Sequence, residues 1–159
     1  LAILRNPEDS RAYINLGIAY MNLGRLADAH ALFQELLKAD PQLIQAKLNL
    51  GIVCAMQNRL DEAERWLHEA LEAEPDSVDI LYNLGQTLLK KNRYPDAERI
   101  FARQTTINPR DAEGFVGLGM ALRAQGRMED AARAFNNALA IDPGNIQANQ
   151  QLESLTNIE

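Results

Sequence analysis

The chain has 159 residues, 47% of them hydrophobic and 24% charged, which is enough apolar content to bury the core of an ordinary folded domain. A formal charge of −6 argues against nucleic-acid binding, because phosphate recognition needs clustered lysine and arginine. The single cysteine, Cys54, excludes an internal disulfide and favours a reducing compartment, so we expect a cytoplasmic location. No stretch reaches the about 20 apolar residues of a membrane span, so no direct membrane insertion is expected.

Most of the prolines recur with a fixed spacing. Pro7, Pro41, Pro75, Pro109 and Pro143 lie 34 residues apart, and Pro95 alone is out of step. Three further columns keep the same spacing: Leu16, Leu50, Leu84 and Leu118; Gly17, Gly51, Gly85 and Gly119; and Ala29, Ala63, Ala97 and Ala131. A period of this length is typical of helical repeat arrays.

Residues 1–9 match the last turns of a second helix and its proline turn, so we interpret them as the remnant of a preceding repeat. Because the first residue is Leu1 rather than methionine, we expect the natural N-terminus, with any signal or anchor, further upstream. Four repeats follow, at 10–43, 44–77, 78–111 and 112–145, and residues 146–159 form a polar capping helix. The predicted helices are 10–23, 26–39, 44–57, 60–73, 78–91, 94–107, 112–125, 128–141 and 146–157.

Each repeat contains two amphipathic segments that are separated by a short break. The breaks fall at Gly24, Asn58, Asn92 and Gly126, residue types that tolerate the left-handed backbone at a helix end. The repeat prolines then stop each second helix, because proline lacks an amide donor and disfavours helix in the residue before it.

The 34-residue spacing also predicts which residues form the core. A glycine in the middle of a helix costs about 1 kcal/mol relative to alanine, so the glycine column needs a compensating contact. We expect the small alanines of the facing helix to allow close backbone approach, with large residues one turn further along. Those large residues are Phe33, Leu67, Phe101 and Phe135.

The first repeat reads Tyr13-x-x-Leu16-Gly17-x-x-Tyr20, then Ala29-x-x-x-Phe33 and Pro41. This pattern resembles the tetratricopeptide repeat (TPR) signature in residue type and spacing. Later repeats place Lys47, Leu81 and Phe115 at the first tyrosine and Cys54, Leu88 and Leu122 at the second. The resemblance implies an all-α, right-handed α-solenoid of antiparallel helix hairpins, the TPR superhelix. It also implies a protein–protein interaction scaffold.

In proteins that resemble this one, the first helices of the hairpins line a concave groove. The column before each Leu-Gly pair would face it, and here it holds Asn15, Asn49, Asn83 and then Gly117. A side-chain amide can both donate to and accept from a peptide backbone, although it can equally bond within the scaffold. The flanking positions predicted for the same groove are Ile14, Ile18, Leu48, Ile52, Tyr82, Gln86 and Met120. We predict that the groove binds a peptide or an amphipathic helix of another protein.

No residue constellation typical of catalysis is found, so no enzymatic activity, cofactor or metal is expected. His30 and His68 are predicted to point outward, and Cys54 to be a buried, inert thiol. Two other interpretations stay open: a substrate-recruiting, non-catalytic arm of a larger enzyme such as a glycosyltransferase or methyltransferase, and a self-assembly module that forms a homo-oligomer.

Overall fold

The computed structural model describes residues 7–156, which form nine α-helices and contain no strand. In chain order the helices are α1 (Pro7–Asn22), α2 (Leu26–Ala39), α3 (Ile44–Met56), α4 (Leu60–Ala73), α5 (Val78–Lys90), α6 (Tyr94–Ile107), α7 (Ala112–Ala124), α8 (Met128–Ile141) and α9 (Ile146–Thr156). The predicted all-α architecture of helix hairpins is therefore confirmed.

The N-terminal boundary differs from the prediction. Helix α1 begins at Pro7, whereas the sequence analysis placed residues 7–9 in a turn before the first helix. Proline is well tolerated in the first turn of a helix, because the amide that it lacks would have no intrahelical partner there. The prediction that a preceding helix ends in this segment concerns residues 1–6, which lie outside the described part of the chain.

The turn inside each hairpin has the backbone conformation that the sequence predicted. Gly24, Asn58, Asn92 and Gly126 have φ angles of 71°, 60°, 58° and 78°. The amide of the following arginine then donates to a carbonyl five residues back, as Arg59 does to Cys54 over 2.8 Å. This bond closes the Schellman motif and satisfies a carbonyl that the helix end would otherwise leave unpaired.

The chain divides into two compact units, residues 1–75 and 76–159. In the first unit, α1 packs on α2 and α3 on α4, around fully buried side chains that include Phe33, Leu50 and Leu67. In the second unit, the hairpins α5–α6 and α7–α8 enclose Phe101 and Phe135, and α9 covers α8. No helix within residues 7–156 is long and apolar enough to cross a bilayer.

The nearest contacts of the glycine column are large side chains. A Cβ added to Gly17 would lie 2.3 Å from Phe33 Cζ, and one added to Gly85 would lie 2.5 Å from Phe101 Cζ. At Gly51 such a Cβ would also lie 3.3 Å from the Ala63 carbonyl oxygen, which agrees with the predicted close approach of the alanine helix. At Gly17 and Gly85 the helix lacks a side chain because an aromatic ring occupies the space.

Candidate functional site

In the first unit, the predicted groove residues differ in exposure. Asn15 and Ile18 are exposed, the latter with 37% of its surface accessible, and Ile52 is half-buried. Ile14 and Leu48, in contrast, are buried in the first unit. Two of these five positions therefore act mainly in packing, and the other three offer surface to a partner.

Two of the predicted asparagines already bond to their own helices. Asn49 Nδ2 donates to the Gln45 carbonyl over 2.7 Å, and Asn83 Nδ2 donates to the Asp79 carbonyl over 2.8 Å. Asn49 is also only 7% exposed, whereas Asn83 is half-buried. The amide donor is thus used inside the scaffold at both positions, and the amide oxygen is the atom left to accept from a peptide.

A small depression lies at the start of the first helices of this unit. It has a volume of about 180 Å³ and is lined by Ser10, Arg11, Ile14, Leu43 and Gln45. Its volume is below the range of about 300–1,000 Å³ that is usual for ligand pockets. It can accept one apolar side chain of a partner.

In the second unit, two positions of the groove columns, Tyr82 and Gly117, meet the Phe101 ring. Tyr82 is half-buried and meets Phe101 edge to face, with ring centroids 6.5 Å apart. A Cβ at position 117 would lie 2.3 Å from Phe101 Cε1, which explains why this column ends in Gly117 rather than a fourth asparagine. Gln86 is half-buried, and the half-buried Met120 accepts a hydrogen bond from Gln147 Nε2.

A larger and more polar cavity adjoins Tyr82. Its volume is about 370 Å³, and it lies among the N-terminal part of α5, the C-terminal end of α6 and the start of α7. The lining residues are Val78, Asp79, Tyr82, Gln104, Asn108, Asp111 and Glu113. We call this cavity the acidic pocket, because three of its residues carry carboxylates.

Hydrogen bonds fix part of the acidic pocket. Gln104 Nε2 donates to Asp111 Oδ2 over 2.6 Å, while Asp111 Oδ1 accepts from the Glu113 amide and so caps α7. Glu113 Oε1 accepts from Asn145 Nδ2 at 3.0 Å. Gln104 itself is fully buried, and its Oε1 has no hydrogen-bond partner among the described residues.

The pocket has a negative potential. Burial raises the pKa of Tyr82, and the charges of Glu113 and Asp111 raise it further, whereas a hydrogen bond with Gln86 lowers it. The negative sign follows from the lining itself, which holds the carboxylates of Asp79, Asp111 and Glu113 and, among the described residues, no lysine or arginine. The arrangement can therefore bind an ammonium or guanidinium group and offers no nucleophile paired with a base.

The acidic pocket was not predicted, although the sequence contains one indication of it. Gln104 occupies a repeat column whose other members, Leu36, Ala70 and Ala138, are apolar and fully buried. A single polar residue in such a column indicates a local departure from pure packing. The convergence of the three carboxylates could not be inferred, because it depends on how α5 and α7 meet.

The two histidines and the single cysteine differ in how deeply they are buried. His68 is half-exposed and lies 3.7 Å from Glu64, so its predicted outward orientation is confirmed. The same prediction is wrong for His30, whose Nε2 is buried and whose imidazole ring has a nitrogen within 4.8 Å of Cys54 Sγ. Cys54 is fully buried, as expected, and burial raises the pKa of its thiol.

These observations define a class: an all-α protein of repeated helical hairpins that act as interaction scaffolds. Family models described as tetratricopeptide repeat match residues 2–44 and 16–78, 55–115, and 112–145. The chain belongs to the tetratricopeptide repeat family. Comparison with curated protein sequences finds no match.

Solved structures share the fold. MamA is 23% identical, with 89% of this chain and 82% of that chain covered and a TM-score of 0.81. PilF of Pseudomonas aeruginosa is 22% identical, with 93% and 68% covered and a TM-score of 0.86. YrrB, described as a TPR protein with an unusual peptide-binding site, is 27% identical, with 98% and 80% covered and a TM-score of 0.78.

Proposed function

We propose that this chain is a non-catalytic scaffold that binds a peptide or amphipathic helix of another protein through its first helices. We further propose that the acidic pocket receives a lysine or arginine side chain of that partner. The observation that carries the proposal is the position of this pocket beside the half-buried Tyr82, on a first helix that the sequence assigned to the groove.

Exposed apolar side chains of the first unit would add affinity for a partner that contacts this unit. Ile18, one of the predicted groove positions, exposes 37% of its surface on α1, and Met56 exposes 50% at the end of α3. Isolated apolar residues are common on protein surfaces, but a peptide that covers them gains about 25 cal/mol for each Å² removed from water. The flexible thioether of Met56 can adapt to more than one partner side chain.

The acidic pocket would supply selectivity. Its volume of about 370 Å³ is within the usual range for ligand pockets, and Asp79 and Glu113 lie on different helices. An arginine can bond to more than one carboxylate at once, because its guanidinium presents five donors in a fixed fork. The unpartnered Oε1 of Gln104 adds a buried acceptor to the same wall.

One comparison supports a peptide ligand. YrrB has a peptide-binding site by its own description, and it aligns with 98% of this chain at 27% identity. The carboxylate clamp found in some proteins that resemble this one places basic residues where this chain has Ile14, Asp79 and Asn83. The acidic pocket thus favours the opposite charge on the ligand.

The test is a selection of random dodecapeptides on the immobilised chain, followed by fluorescence anisotropy with the enriched peptides. We expect enrichment of a basic residue, and at least a tenfold loss of affinity, or about 1.4 kcal/mol, in the double variant Asp79→Asn, Glu113→Gln. The matched control Glu72→Gln, Glu129→Gln removes the same charge from two exposed positions. Equal affinity of both double variants for every enriched peptide would refute the role of the pocket.

A further inference from the structure

Three side chains that commonly bind metals meet in the first unit. His30 on α2, Cys54 on α3 and Glu62 on α4 each direct one ligand atom to the same place, and these atoms lie within 4.8 Å of one another. We propose that they form a binding site for a divalent transition metal ion, with Zn²⁺ the expected ion. The site is separate from the acidic pocket and does not depend on the proposed peptide binding.

The imidazole of His30 is placed as a ligand rather than as a surface group. Its Nε2 is buried and has no hydrogen-bond partner among the described residues. A buried nitrogen without a partner destabilises a fold, because it has lost its bonds to water. A metal ion would satisfy this nitrogen, and neutral imidazole is the form that binds metals.

Cys54 faces the same point from the core and is fully buried. Burial raises the pKa of its thiol, so the metal-free protein keeps the proton on sulfur. When a metal ion binds, the Sγ–H bond breaks, the proton leaves to solvent and the sulfur electron pair forms the metal–sulfur bond.

The repeat itself singles out this site. Each of the three ligands differs in residue type from its counterparts at the same repeat position. The combination of histidine, cysteine and glutamate therefore occurs only once in the four repeats. The counterparts are Glu64, Glu98 and Ala132 for His30; Tyr20, Leu88 and Leu122 for Cys54; and Asp28, Asp96 and Asp130 for Glu62. Cysteine removes the bulk of tyrosine or leucine, and glutamate reaches one methylene further than aspartate.

Arg59 holds the third ligand in place. Its Nε donates to Glu62 Oε1 over 2.8 Å and its Nη2 to Oε2 over 2.5 Å. Hydrogen bonds from such an outer group orient a coordinating carboxylate, and each oxygen keeps a further lone pair for a metal. The positive charge of Arg59 opposes the metal charge, so we expect micromolar rather than tighter affinity.

The donor set selects the ion. Nitrogen, sulfur and oxygen donors in one site suit Zn²⁺ and its substitute Co²⁺, whereas Mg²⁺ and Ca²⁺ require oxygen ligands. Tetrahedral zinc bonds place ligand atoms roughly 3.3–3.6 Å apart, so small side-chain rotations would close the observed cluster. Three protein ligands leave the fourth position to a water molecule.

The experiment is a titration of the reduced, chelator-treated chain with Co²⁺, monitored by absorbance. A thiolate-to-cobalt charge-transfer band can arise only from Cys54, because the chain has no other cysteine. We expect this band together with the visible bands of tetrahedral cobalt, their loss on addition of Zn²⁺, and a monomeric mass throughout. A rise in melting temperature with Zn²⁺ should accompany binding.

Variants separate this site from adventitious binding. His30→Ala and Glu62→Gln should each weaken Co²⁺ binding at least tenfold, and Cys54→Ser should remove the charge-transfer band. His68→Ala removes the other histidine, which is half-exposed, and should change nothing. Absence of the band in the folded chain, unchanged affinity in folded His30→Ala, or a band that appears only with dimerisation would overturn the proposal.

Discussion

Replacing Phe101 by alanine tests the packing that joins the two hairpins of the second unit. The ring lies between two glycines of first helices, 2.5 Å from a Cβ position at Gly85 and 2.3 Å from one at Gly117. It is fully buried and also packs against the edge of Tyr82. Because both glycines lack side chains, only Tyr82 among these neighbours has a side chain that could move into the cavity that the substitution leaves.

The expected cost follows from these contacts. Phe→Ala substitutions in cores cost about 3–5 kcal/mol, and an aromatic pair contributes about 0.5–1.5 kcal/mol beyond its buried area. Since only Tyr82 could partly fill the cavity, we expect a loss of about 4 kcal/mol from the free energy of unfolding. The measurement is urea denaturation followed by circular dichroism, with the exposed Thr106→Ala on the same helix as a control expected within about 0.5 kcal/mol.

A double-mutant cycle sharpens the test. In the wild type, Gly117→Ala should cost about 1–3 kcal/mol, because the new Cβ would overlap the Phe101 ring. In the Phe101→Ala background the same change should be neutral or stabilising, since alanine favours helix by about 1 kcal/mol over glycine. A loss below about 1 kcal/mol for Phe101→Ala, or additive effects in the double variant, would refute this packing.

Three further predictions concern single positions. Asn58→Ala should destabilise by about 1 kcal/mol in urea denaturation and Asn58→Gly should not, because the residue has a φ of 60°. Gln104→Leu should change the free energy of unfolding by less than about 1 kcal/mol, because it removes a buried amide oxygen without a partner among the described residues along with the donor to Asp111. It should weaken peptide binding in anisotropy, because that oxygen is the acceptor proposed for the acidic pocket. Burial, followed by the charge of Arg59, lowers the pKa of His30 below 6.5. A chelator keeps the protein metal-free in this experiment. The free energy of unfolding should then be highest above pH 6.5 and should decrease as the pH falls towards the lowered pKa of His30. This decrease should be smaller in His30→Gln.

The helical architecture was predictable because short-range chemistry specifies it. The residues at Gly24, Asn58, Asn92 and Gly126 are types that adopt positive φ, and each indeed ends a helix in that conformation. The later prolines stop the second helices for an equally local reason. The start of α1 at Pro7 was not predicted, because proline in the first turn of a helix and proline after a helix look alike in sequence.

The sequence predicts which large residues lie in the core, but it does not predict which residues they contact. The large residue of each repeat was assigned correctly to the core, as Phe33 and Phe135 show. Which of its neighbours meets a glycine depends on the crossing of two helices, a quantity that residue spacing does not contain. For the same reason Asn49 was expected to face a partner and instead is buried, with its amide bonded to Gln45.

Clusters drawn from several helices were beyond the sequence analysis. His30, Cys54 and Glu62 lie on three consecutive helices, and a helical residue can face any direction that its register allows. The repeat gives a partial signal, because His30, Cys54 and Glu62 each differ in residue type from the other residues at the same repeat position. Gln104 marks the acidic pocket in the same way.

The central claim is that a partner peptide binds along the first helices with a basic side chain in the acidic pocket. The most direct measurement is a titration of the ¹⁵N-labelled chain with a selected arginine-containing peptide, followed by amide chemical shifts. We predict the largest changes at Asp79, Tyr82 and Glu113, and their loss when the peptide arginine is replaced by norleucine. Changes confined to second-helix residues such as Lys38 and Trp66, or unaffected by that replacement, would contradict it.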